Sequence, residues 1–161
     1  MTHYMELLAT NQPWNLLIYM AVPVILAEIL AITEFFILFD RNLSGGLKTL
    51  NKVAGTFAGF YFTGIFIYLF KTAVIPLTMT GGWRGFADVV AVGFYLSGII
   101  PLLGITLLEI GLIYKNKEVE EKLKLHAIFV SIFLVVAHVA MIFGMLNPDV
   151  LSGMGGGMSG M

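Results

Sequence analysis

The chain has 161 residues, of which 58% are hydrophobic and only 12% charged, with a mean hydropathy of +0.92. That excludes an ordinary soluble domain, which carries roughly 25% charged residues. A net charge of −1 gives no reason to expect a nucleic-acid partner, and the absence of cysteine excludes disulfides and thiolate metal sites.

The amino terminus comes first. Met1–Glu6 lacks the basic stretch of a cleavable signal, so the first apolar segment is expected to be retained. Four apolar runs follow, at about residues 16–39, 53–77, 89–114 and 125–145, each near or above the ~20 residues that cross a hydrocarbon core of ~30 Å. Backbone groups in lipid must be satisfied within the segment, so each run reads as a helix. Short connections favour antiparallel neighbours, hence an all-α, up-down-up-down four-helix membrane bundle over residues 1–147. A Gly/Met-rich tail occupies residues 148–161.

Seven of the nine basic residues sit in the first and third connections: Arg41, Lys48, Lys52, Lys115, Lys117, Lys122 and Lys124. The positive-inside rule makes that face cytoplasmic, which places both termini on the outer side of a cell (inner) membrane.

The first run holds Met20, Pro23, Glu28 and Glu34, and ends at Asp40; the second opens with Gly55-Thr-Phe-Ala-Gly59, a close-packing GxxxG. In the third, Pro101 between Gly98 and Gly104 predicts a bend, and Glu109 lies in the inner half. Pro23 frees the carbonyl of Tyr19, and Pro101 that of Ser97; each needs a new partner. The fourth run carries His126 near its inner end and His138, Met141 and Met145 farther out, within about 60° of arc on one helix face.

All nine methionines fall on the side predicted to be outer. Thioethers are soft ligands suited to Cu(I), so His138, Met141, Met145, Met20 and Glu28 form a candidate copper site, fed by tail ligands Met154, Met158 and Met161. Glu34, Glu109, Asp40 and His126 would carry protons or the ion farther inward, since ionisable groups at membrane depth default to a functional reading. The bland alternatives are methionine as core filler, the tail as a loose end, and the glutamates as interhelical glue bonded to Thr33, Thr56, Ser97 or Ser131. Met1-Thr2-His3 also has the spacing of an amino-terminal copper(II) clamp. Met141-Ile-Phe-Gly-Met145 together with the GxxxG is similar to the MxxxM and GxxxG pair of eukaryotic copper-uptake trimers, which have three helices per subunit rather than four.

No phosphate loop, nucleophile elbow or HExxH is present, and an enzyme is not expected. The second functional class is an accessory subunit of a respiratory or oxidase complex, with haem b as an option if His138 pairs with Met20. His126 and His138 lie about 120° apart on one helix and cannot share a haem. Expected partners are the lipid bilayer and either further copies of the chain or a larger membrane complex. Asn11-Gln-Pro-Trp-Asn15, Ala27-Glu28 and Thr33-Glu34 resemble small bacterial membrane proteins labelled permease-like, a label that implies no particular activity.

Overall fold

The computed structural model describes residues 1–40 and 45–147. The tail methionines Met154, Met158 and Met161 therefore lie outside the described residues. The described chain is all-helical: a short α1 (His3–Ala9) precedes four long helices, α2 (Trp14–Asp40), α3 (Gly46–Thr80), α4 (Phe86–Ile110) and α5 (Val119–Met145). Each of the four is long and apolar enough to cross a membrane.

The helices do not end where the apolar runs end. α3 begins at Gly46 rather than near Val53, and α5 at Val119 rather than near Leu125. Lysine and glutamate are good helix formers, so the helix continues through them after hydrocarbon depth is spent. Lys117 and Glu121, 3.1 Å apart, brace the start of α5. α4 stops early, at Ile110, because Gly111 takes the left-handed backbone (φ 79°) and its amide turns back to Leu107 and Leu108.

Prolines shape the interiors. A wider π-helical turn at Leu17–Ala21 precedes Pro23, and another at Phe70–Val74 precedes Pro76. The Tyr19 carbonyl that Pro23 frees accepts a 2.6 Å hydrogen bond from the Tyr95 hydroxyl of α4. One residue earlier, the Tyr61 hydroxyl of α3 donates to the carbonyl of Ile18 at 3.0 Å. α4 is interrupted at Gly98, one turn before Pro101.

α3 packs against α2 and α4, and α5 against α2 and α4. The tightest approach is between α3 and α4. A Cβ on Gly59 would run into the Thr106 hydroxyl, and one on Gly55 would meet Ile105 Cγ2 at 2.7 Å. The Thr106 hydroxyl, with one proton to give, lies 3.2 Å from the Gly55 carbonyl and 3.1 Å from that of Leu102 in its own helix. Close backbone approach replaces the hydrophobic driving force that lipid cannot supply. Phe62 fills the middle of the core, its ring 5.3 Å from Tyr95 and 6.0 Å from Phe133. Outward faces are apolar too: Phe39 is 76% exposed and Ile100 70%. An apolar perimeter of this extent suits a lipid bilayer.

Candidate functional site

The candidate copper ligands are divided between exposed positions and one small cavity. His138 is exposed on α5, and its Nδ1 lies 2.6 Å from the Leu134 carbonyl of its own helix. Met145 is 71% exposed and Glu28 is exposed on α2. Met141 and Met20 do share one small apolar cavity of about 50 Å³ beside Phe62 and Tyr95, which has no space for a porphyrin. Asp40 is exposed at the end of α2. Among the described residues, no group of three or more His, Asp or Glu is arranged to hold a metal ion.

Three of the four predicted path residues do converge, and they do so deep in the protein. Glu34 of α2 places Oε2 2.6 Å from His126 Nδ1 of α5, and Glu109 of α4 places Oε1 3.6 Å from His126 Nε2. The Glu34 and His126 side chains are 5% and 3% exposed; Glu109 is 21% exposed. One carboxylate faces each ring nitrogen, so the oxygens bracket the imidazole and do not point at a common centre. That geometry is wrong for shared metal ligation and right for a group that takes a proton at one nitrogen and releases one at the other.

Asn51 of α3 completes the surroundings. Its amide nitrogen reaches Thr33 Oγ1 at 2.8 Å, Glu34 Oε2 at 3.2 Å and the Leu30 carbonyl at 3.4 Å, three acceptors for two N–H groups. Asn51 was missed in the sequence, although a signal was there. It lies one turn before Gly55 and two before Gly59, on the face that packs closest. Thr33, named only as a possible hydrogen-bond partner, donates to the Ile29 carbonyl at 2.7 Å while accepting from Asn51.

The triad is not saturated. Despite the short contacts, neither His126 nitrogen has an aligned hydrogen-bond partner among the described residues, and neither does Glu34 Oε1.

A second histidine–carboxylate pair at the other end is built differently. Asp88, fully buried at the start of α4, accepts from the His3 amide (2.6 Å) and the Arg84 amide (3.2 Å), and its Oδ2 is 2.5 Å from His3 Nδ1. Thr2 caps α1 and donates to the Gly144 carbonyl at 2.6 Å, while Arg84 reaches the Met1 carbonyl and Glu6. These bonds seat Tyr4 and Leu8 over the helix ends, and burial pushes the Tyr4 phenol up to about 12. The His3 amide and imidazole that a copper clamp needs are both engaged by Asp88.

No curated protein and no solved structure matches the chain, and the family description carries no permease label. The family model matches residues 1–159, so the chain belongs to DUF6803, a family of unknown function.

Proposed function

We propose that this is a proton-handling membrane protein in which Glu34, His126 and Glu109 pass protons between the buried interior and the lysine-rich end. The observation that carries the reading is the bracketed, unsaturated imidazole of His126 between two carboxylates from different helices. By the positive-inside rule the lysine-rich end faces the cytoplasm, and an up-down-up-down bundle then has both chain ends outside a cell (inner) membrane. Glu28 and His138, exposed at membrane depth, favour a further copy or a partner subunit as cover, since ionisable groups facing lipid are costly.

The test is reconstitution into liposomes with an internal pH dye and a potassium–valinomycin potential. Wild type acidifies or alkalinises the lumen as the potential directs. Glu34→Gln and His126→Gln each lower that rate about tenfold or more. A wild-type rate no higher than that of empty liposomes overturns the reading.

Copper handling is retained as a second reading because Met20 and Met141 line one cavity. Elemental analysis of protein purified without added metal tests it, with Met20→Leu/Met141→Leu as the control. Copper retained by that double variant removes the methionine pair from consideration.

A further inference from the structure

A cleft of about 260 Å³ opens beside the triad. Its walls include Lys48, Asn51 and Lys52 from α3, Glu109 from α4, and Lys122 and His126 from α5. Lys122 donates to the Lys115 carbonyl at 3.2 Å, a contact that leaves its charge uncompensated. Among the described residues, Lys48 and Lys52 form no salt bridge. Three lysines and, among the described residues, one carboxylate, Glu109, thus line the same cleft. At the same wall lies a side chain more than nine-tenths buried, His126, whose nitrogens lack aligned partners.

We infer that this cleft is a binding site for a phosphate-type oxyanion, held by Lys48, Lys52 and Lys122 against His126, and that the anion brings a proton onto the triad. Binding stands on the cleft alone; the coupling deepens the proton-handling function and rests on it. The charged groups around His126 are Glu34 on α2, Lys48 and Lys52 on α3, Glu109 on α4, and Lys122 on its own helix. The carboxylates lie beside the ring nitrogens, and the three lysines line the cleft that the ring borders. An oxyanion among the lysines is a hydrogen-bond acceptor for Nε2–H, and Glu34 Oε2 lies 2.6 Å from Nδ1, close enough to accept there once the ring aligns. Both nitrogens then carry hydrogen, so one proton enters with the anion.

The same chemistry is offered by a soluble phosphate and by a phospholipid headgroup. Calorimetric titration of inorganic phosphate into delipidated, detergent-purified full chain, in two buffers of different ionisation enthalpy, reads both affinity and proton uptake. Saturable binding with about one proton taken up per phosphate is expected. Lys48→Gln/Lys52→Gln weakens it about tenfold or more, Lys48→Arg/Lys52→Arg retains it, and His126→Gln binds phosphate without proton uptake. Binding by wild type without proton uptake keeps the site and overturns the coupling. Absence of proton flux in wild-type liposomes, with phosphate binding intact, overturns the proposed function and leaves the site standing.

If phosphate does not bind, thermal stability in phosphatidylglycerol against phosphatidylcholine vesicles is the second arm. A stabilisation by phosphatidylglycerol that Lys48→Gln/Lys52→Gln abolishes assigns the oxyanion to a lipid headgroup. Indifference to both phosphate and phosphatidylglycerol overturns the site.

Discussion

The molecule has a histidine–carboxylate pair at each end, and the two are built to opposite specifications. At the amino-terminal end Asp88 is fully buried and collects two backbone amides besides the His3 imidazole. At the lysine-rich end, among the described residues, Glu34 keeps an oxygen without a partner, and His126 has two carboxylates close by but no aligned hydrogen bond. Saturation makes a latch, because every alternative arrangement loses bonds. An unsaturated cluster has more than one proton arrangement of similar energy, which is what a relay requires. A histidine next to an acid is thus no function by itself; the count of remaining partners separates the two cases.

Carboxylate-to-amide exchange breaks this comparison most directly. Asp88→Asn, which removes the charge from a buried, fully bonded group, is expected to cost about 3–5 kcal/mol. The loss should be seen as faster amide exchange across α1 and earlier thermal unfolding. Alkaline pH attacks the same latch through Tyr4. Its phenol is raised from 10 to about 12 in the folded chain, so its contribution is intact below pH 10 and is lost as pH rises through about 12. That removes at most about 3 kcal/mol, read as tyrosinate absorbance rising together with proteolysis near residues 1–10. Between the two ends, Gly59→Ala presses on Thr106 and Leu102 and should destabilise by about 1–3 kcal/mol in detergent melts, unless α3 and α4 separate. The smallest stability effect belongs to Glu34→Gln, under about 1 kcal/mol, because among the described residues Asn51 is its only aligned donor and an amide oxygen still accepts from it. A stability loss from Glu34→Gln as large as that from Asp88→Asn would make the triad a second latch and end the distinction.

The spanning segments were legible because lipid imposes a length and a composition, and α2 to α5 satisfy both. Position along the bundle was partly legible. Counting along the apolar runs put Glu34 and Glu109 in one layer and Asp40 and His126 in the next, nearer the helix ends; Glu34, Glu109 and His126 meet, whereas Asp40 is exposed. Facing was not. The stripe of His138, Met141 and Met145 was correctly one face of α5, yet His138 and Met145 are exposed, and it is His126 that turns inward. These helices are apolar nearly all round, so periodicity carries no mark of which side meets protein and which meets lipid. The amino-terminal latch was hidden for another reason: His3 and Asp88 are 85 residues apart, and nothing local to either announces the other.

The sequence by itself determined four helices long and apolar enough to span, the basic end, and the places where proline disturbs the helix. All of these follow from local chain geometry and the dimensions of a bilayer. Tertiary structure alone decided the rotation of each helix about its axis. It thereby decided that Asn51 joins Glu34, that two carboxylates bracket one imidazole, and that the lysines of α3 and α5 share a cleft. In lipid that rotation is set by close packing at Gly55 and Gly59 and by a few interhelical hydrogen bonds, interactions that exist only once the partner helix is present.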